Sequence, residues 1–321
     1  MSRLTTSLRD ATPPTVAIEF AAHRLAGAGV ERRAGKRVIR AHAVSPLADG
    51  ALVPSLTATN VHDRAAVLAA LKRVVDQLGN PRRIGVVIPD TVVKVSLVKF
   101  QQVPAKAQDL DQLIRWQVRK AAPFPIEEAQ VSYVEGANGP DGQEFIVTMA
   151  RREIIAEYEA LCAEAGAHAG LIDLSTFNVI NAVLGGSGAP SADWLLVNVA
   201  PDWASMAILR GQLLVFFRSR GAEGEGTLAD LVHQTAMYYE DRLSGAGFSR
   251  VMLSGASTVA DGQSPDAGAL RRSLEERLGT PVSLVDPRTA AALTDRIDGS
   301  PALLDALAPL VGLLVREGEA A

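Results

Sequence analysis

The residues that could carry chemistry are few and poorly grouped. The five histidines, His23, His42, His62, His168 and His233, are far apart, with no HxH or HxxxH spacing, and Cys162 is the only cysteine. A zinc-type centre needs clustered ligands, so the spacing predicts no metal site. Leu253-Ser254-Gly255 lacks the first glycine of a serine nucleophile elbow. Cys162 sits between Leu161 and Ala163 in a helical stretch, where an inert buried thiol is expected. No catalytic residue emerges. Two segments could bind something. Gly221-Ala222-Glu223-Gly224-Glu225-Gly226 follows an apolar strand and precedes a helix, so its backbone N–H groups could approach a phosphate. The same spacing suits an ordinary loop before a helix start at Thr227. Arg115-Trp116-Gln117-Val118-Arg119-Lys120, followed by Pro123-Phe124-Pro125-Ile126, joins cations to an aromatic-proline turn. That arrangement could present an aromatic anchor to a peptide, or Trp116 and Phe124 could plug a core.

The elements that would position these residues alternate between apolar strands and helices, which points to an α/β protein. Strands are expected at Thr15–Phe20, Arg37–Val44, Ile84–Ile88, Val92–Phe100 and Leu171–Leu174, and a hairpin at Val131–Glu135 and Glu144–Ala150. Helical spacing runs through Val67, Leu71, Val74, Val75 and Leu78 and stops at Gly79-Asn80-Pro81. Further helices are expected at Asp109–Ala122, Arg151–Ala165 and Thr176–Leu184. After the break Gly185–Ala189 the pattern restarts. A meander is expected over Trp194–Val199, Ala204–Leu209 and Gln212–Phe217, then helix Thr227–Leu243, strand Arg250–Leu253, helix Ala269–Leu278, strand Val282–Val285 and closing helix Pro301–Val315. The triplets Val86-Val87-Ile88 and Leu195-Leu196-Val197 do not alternate, which predicts central strands covered on both faces. Each half starts with strands and ends with helices, as a duplicated architecture around a cleft would.

Composition narrows the class. The 321 residues are 48% hydrophobic and 21% charged, ordinary for a globular protein with a real core. Aromatics are only 5%, so Ala, Val and Leu must fill that core. A net charge of -4 argues against a nucleic-acid binder with a broad basic face. No apolar run approaches the roughly 18 residues of a membrane span, and Met1–Asp10 does not read as a secretory signal. A cytoplasmic protein able to dock on a membrane partner is the expectation.

Several stretches, in order, resemble the PilM family of type IV pilus assembly proteins, actin-like relatives of the cell-division protein FtsA. They are Val86-Val87-Ile88-Pro89; Ile114-Arg115-Trp116 with Ala122-Pro123-Phe124-Pro125-Ile126-Glu127-Glu128; Val147 to Glu153; Ala165-Gly166 to Asp173; Tyr238-Tyr239; and Leu253-Ser254-Gly255. The resemblance covers roughly residues 15 to 315, and its helix end at Pro123-Phe124-Pro125 is the most specific part. It implies an actin-like, ribonuclease H-like duplicated fold, with two halves around a nucleotide cleft and a subdomain inserted in the first half. The expected divisions are a tail at 1–14, the first half at 15–87 and 163–186, the insertion at 88–162, and the second half at 187–321. It also implies a scaffold, cytoplasmic and peripheral to the inner membrane, that binds the N-terminal peptide of a PilN-like membrane protein and links to platform or motor proteins. The insertion would supply that contact, and Arg115, Trp116, Arg119, Phe124 and Pro125 are the expected partner-binding residues. Helix Asp109–Ala122 and the turn after it would form one wall of a peptide cleft against the first half.

Close relatives bind ATP, and this sequence departs from their pattern. Where the family's first phosphate loop runs D-I-S/G-S-x-S-V-K, the chain has Glu19-Phe20-Ala21-Ala22-His23-Arg24-Leu25-Ala26. The acid is lengthened, and the hydroxyls and the lysine are gone. The second loop's D-x-G becomes Asn198-Val199-Ala200, followed by Pro201, which lacks an N–H. The adenine-side glycine pair becomes Gly255-Ala256. If nucleotide contacts persist, Glu19, Ala21, Ala22, His23, Asn198, Ala200, Gly221, Gly224, Gly255 and Ala256 would make them. The expectation is a scaffold without a catalytic role, with a degenerate cleft and no required cofactor. The alternatives are an ATP-binding, Mg²⁺-dependent ATPase of the same machine, or a cytoplasmic component of a type II secretion platform.

Overall fold

The computed structural model describes residues 14–188, 192–221, 226–259, 267–295 and 297–316. Strands β1 (Val16–Ala21), β2 (Arg24–Arg33) and β3 (Lys36–Pro46) form an antiparallel meander. Helix α1 (Arg64–Gln77) leads into β4 (Arg83–Ile88), which pairs in parallel with β1. Asp63 caps α1 by accepting from the Ala66 N–H at 2.9 Å, and Val67, Ala70, Leu71, Val74 and Val75 form its buried stripe. The chain then leaves the sheet to build β5 (Val93–Phe100), α2 (Ala107–Val118), β6 (Ala129–Gly139) and β7 (Gly142–Arg151). It returns through α3 (Arg152–Glu164) to β8 (His168–Leu174), parallel to β4, and continues into α4 (Ser175–Ser187).

The second half repeats this order. The meander β9 (Asp193–Ala200), β10 (Trp203–Arg210) and β11 (Leu213–Gly221) is followed by α5 (Leu228–Leu243) and β12 (Arg250–Ser254), which lies parallel to β9. Helices α6 (Ala256–Val259) and α7 (Ala267–Leu278) lead to β13 (Val282–Leu284), parallel to β12. The strand orders are β14-β3-β2-β1-β4-β8 and β11-β10-β9-β12-β13. Apart from β14 (Ala292–Leu293), the two sheets share one topology, which is the structural form of the duplication. Val86, Val87 and Ile88 in one central position, and Leu195, Leu196 and Val197 in the other, are all buried.

Three differences from the sequence reading have clear physical causes. Strand β2 was not among the expected strands: Glu19 sits in β1 and pairs with Ala26, and the stretch Glu19–Ala26 forms a hairpin that turns at Ala22 and His23. The run Leu25–Val30 is rich in Ala and Gly, so it lacks the β-branched signature of a strand. Second, α3 packs Ile154, Ile155, Tyr158, Leu161 and Cys162 into the core of the first sheet, so the inserted unit that forms its own sheet runs from β5 to β7. Third, the chain's end returns to the first half. β14 pairs with β3, and α8 (Pro301–Val315) buries Leu307, Leu310, Val311 and Leu313 against Ala17, Ala26, Ile39 and Val87. Gly312 lets α8 pass close to α4, because a β-carbon there would lie 1.6 Å from the Asn178 carbonyl oxygen.

Candidate functional site

The duplicated meanders turn toward one another, and the cleft of the fold lies where they meet. Around it stand Glu19 and Arg24 from the first hairpin, Ser175 at the start of α4, Asn198 and Ala200 from β9, Gly255 before α6, and Asp305 on α8. The space between them is a cavity of about 30 Å³, enough for about one or two water molecules. Ordinary ligand sites span roughly 300–1,000 Å³.

Side chains of the protein itself fill this cleft. Glu19 is buried and accepts from Arg24 at 3.2 Å and from the Ser175 hydroxyl at 3.4 Å. Burial raises its carboxyl above the usual range, with Arg24 working in the opposite direction. Asp90, immediately after β4 and its Pro89, is also buried; it accepts from the Thr176 N–H at 3.1 Å and from the Thr176 hydroxyl. Burial pushes its carboxyl up to about 6. Asn198, from the second half, donates to the Thr176 hydroxyl at 2.9 Å and to the Ser175 hydroxyl at 3.4 Å. One polar chain therefore runs from Glu19 and Asp90 through Ser175 and Thr176 to Asn198 and joins the two halves.

The third corner closes in the same way. Gly255 has φ +81°, and a β-carbon there would lie 1.9 Å from the Val199 carbonyl oxygen, so only glycine fits. Its N–H donates to Asp305 at 3.0 Å, and the Ser257 N–H donates to the other Asp305 oxygen at 2.8 Å. The backbone donors that could meet an anion at this turn already hold a carboxylate.

Of the expected nucleotide residues, Glu19, Ala21, His23, Asn198, Ala200 and Gly255 do line one small cavity. Ala256 is buried as the first residue of α6. Ala22 and Gly221 line a different, larger cleft of about 950 Å³, between the hairpin tips, the segment Leu52–Leu56, β5 and the end of β11. Gly224 lies outside the described residues. Asp90, Ser175, Thr176 and Asp305 were missed as site residues. Faint signals existed: paired hydroxyls directly after an apolar strand, and a lone acid in an apolar helix. Among the described residues no three His, Cys, Asp or Glu side chains could hold a metal ion.

The expected partner residues lie elsewhere. The third sheet, β5-β7-β6, packs Phe145, Val147 and Met149 against Ile114 and Val118 of α2. Arg115 is half-buried and pairs with Asp111 at 2.8 Å; Arg119 and Pro125 are exposed, Phe124 is half-buried, and Trp116 is 69% exposed. Trp116 is thus not part of a core. The alternate residues of the sheet, Ile146 and Thr148, face the other way, into a groove of about 400 Å³. Its remaining walls are Tyr133 and Val134 of β6, Leu171 and Ile172 of β8, Phe177, Ile180 and Leu184 of α4, and Leu209 and Leu214 of the second half. β6 and β8 are edge strands of their sheets. Asp173 and Arg316 pair at 3.1 Å in the same groove; burial raises the Asp173 carboxyl, and Arg316 opposes the shift. None of Arg115, Trp116, Arg119, Phe124 and Pro125 lines it.

Comparison with known proteins agrees with this architecture. A structure described as a PilM-PilN type IV pilus biogenesis complex superposes with TM-score 0.79 at 17% identity, covering 96% of this chain and 99% of that chain. A Bacteroides thetaiotaomicron protein with actin-like ATPase fold and unknown function superposes with TM-score 0.52 at 10% identity, covering 95% and 96%. The fold is therefore actin-like. No curated sequence matches the chain. The family model described as type IV pilus assembly protein PilM matches residues 18–247, and since that stretch is most of the chain, the protein belongs to the PilM family of type IV pilus assembly proteins.

Proposed function

We propose that the chain is a scaffold without a catalytic role in the inner-membrane platform of a type IV pilus, and that it grips the N-terminal peptide of a PilN-like membrane protein. The observation that carries the first part is the filled cleft. What supports it is the narrowness of the space beside Gly255 and Asn198, a cavity of about 30 Å³. The groups there that could meet a polyphosphate are already engaged: Arg24 holds Glu19, and the Gly255 and Ser257 N–H groups hold Asp305. The polar chain through Ser175, Thr176 and Asn198 links the halves with side chains of the protein alone.

The likeness to a PilM-PilN complex motivates the partner. The groove beneath the third sheet is the place we assign to the peptide. It offers two strand edges, to which an extended segment can add by backbone hydrogen bonds, and apolar walls for alternate side chains. Asp173 and Arg316 supply a polar handle at this groove. The outer face of α2, with Trp116, is not part of this binding surface.

Calorimetry tests both parts. Mg-ATP is expected to bind more weakly than about 1 mM; a low-micromolar constant would overturn the first part and favour an ATPase. For the second, Val134→Asp changes an exposed β6 residue in the groove. It should weaken a synthetic PilN-like N-terminal peptide by at least tenfold, about 1.4 kcal/mol. Arg115→Glu with Arg119→Glu should leave that affinity unchanged. The reverse pattern would move the site to α2.

A further inference from the structure

At the end of the first sheet away from the cleft, β2 and β3 outrun their neighbours. β1 pairs with β2 only from Ala21↔Arg24 to Val16↔Gly29, and β14 meets β3 only at Val38 and Ile39. Beyond this the hairpin pairs only with itself, through Arg32↔Arg37 and Arg33↔Lys36, and turns at Ala34 and Gly35, both with positive φ. The tip therefore projects from the body. Between Glu31 and Arg40 it carries Arg32, Arg33, Lys36, Arg37 and Arg40 against the single acid Glu31, which pairs with Arg33. Arg32, Arg33, Lys36 and Arg40 are exposed. The topology adds Arg82 and Arg83 at the same end, because β4 starts there, parallel to β1. On a chain of net charge -4, this is a concentrated positive pole.

We propose that this hairpin tip is an electrostatic contact with an anionic phospholipid surface, one that sets how the protein stands on a membrane. The shape selects this occupant. The tip is convex and has no groove, and the strand edges it leaves free run for only two or three residues on each side and carry Arg and Lys, which suits them poorly to adding a peptide strand. It carries no aromatic side chain on which nucleobases could stack. A flat leaflet asks for neither: clusters of about four to eight Lys and Arg are drawn to acidic headgroups by charge alone. The absence of an apolar wedge at the tip makes the contact reversible and strongly salt-dependent. The contact does not depend on the peptide groove, which lies on other elements.

The test is co-sedimentation of the full chain, without peptide, on large vesicles. Binding is expected to vesicles of about 30% phosphatidylserine in phosphatidylcholine at about 50 mM salt, where the surface is anionic and weakly screened. It should disappear on pure phosphatidylcholine and at about 0.5 M salt. The variant Arg32→Ser, Arg33→Ser, Lys36→Ser, Arg37→Ser should melt as the parent does and partition at least tenfold more weakly. Should that variant fold poorly, Arg33→Ser and Lys36→Ser singly should each show a smaller loss in the same direction. No binding of the parent at low salt, equal binding by the variants, or tighter binding to a short DNA duplex than to the vesicles would overturn the proposal.

Discussion

Asp90→Asn tests whether the polar chain across the cleft contains a carboxyl that the fold holds against its ionisation. Asp90 has no exposed surface, and its carboxyl is moved from 3.8 to about 6, mainly by burial, with hydrogen bonds from Ser205 and Thr176 opposing the shift. At about 1.4 kcal/mol per unit, a shift of this size corresponds to about 3 kcal/mol. The sign follows from linkage. Between 3.8 and about 6 the folded protein keeps a proton that the unfolded chain has released. Stability therefore falls as pH rises through this window, and the full cost is present at neutral pH. The amide of the variant cannot titrate, so in the difference between parent and variant the other shifted acids cancel: Glu19, Glu144, Asp173 and Asp202, raised, and Asp193, Asp230 and Asp286, lowered. Urea unfolding of both proteins from about pH 7.5 down to about pH 4 is the assay. The parent should gain on the variant by roughly 2–3 kcal/mol over that range, about half of it by about pH 5. Any offset from the altered hydrogen bonding to Thr176 is independent of pH. A difference that stays flat with pH would show that Asp90 is solvated, and the account of a buried polar chain joining the halves would fail with it.

Other expectations follow from packing. Gly255→Ala should lower stability by about 1–3 kcal/mol for the backbone conformation alone. The 1.9 Å approach to the Val199 carbonyl adds to that, so a variant melting within a degree or two of the parent would refute the close contact. Leu196→Asp places a carboxylate at a fully buried central position of β9 and should abolish a cooperative melt, since an unpaired buried charge costs several kcal/mol; a near-parental transition would show the strand to be accessible. Cys162 is buried and its thiol is pushed up to about 12. A thiol reagent near neutral pH should therefore leave the native protein unlabelled and modify it only as it unfolds, and rapid native labelling would contradict the burial.

The sequence by itself determined the elements that repeat a simple period. The apolar runs at Val86–Ile88 and Leu195–Val197, the stripe of α1, the meander of β9 to β11 and the restart after α4 are local patterns, and local burial preferences are written in the order of residue types. The ordered motifs around Pro123-Phe124-Pro125 carried the family. The site was not legible in this way. Asp90 meets Thr176 across 86 residues of chain, and Gly255 meets Asp305 across 50. Neither pair has any periodic trace, because such contacts depend on how strands and helices from separate parts of the chain converge. Strand β2 was not legible either, since pairing with β1 and β3 gives Ala and Gly residues a strand conformation that their own propensity does not favour. The cations of α2 looked like a cleft wall because i and i+4 share a helix face; only packing decided that Ile114 and Val118 turn that helix inward on the far side of its sheet. Whether an exposed face borders a groove is a property of what lies opposite, and only the tertiary structure supplies that.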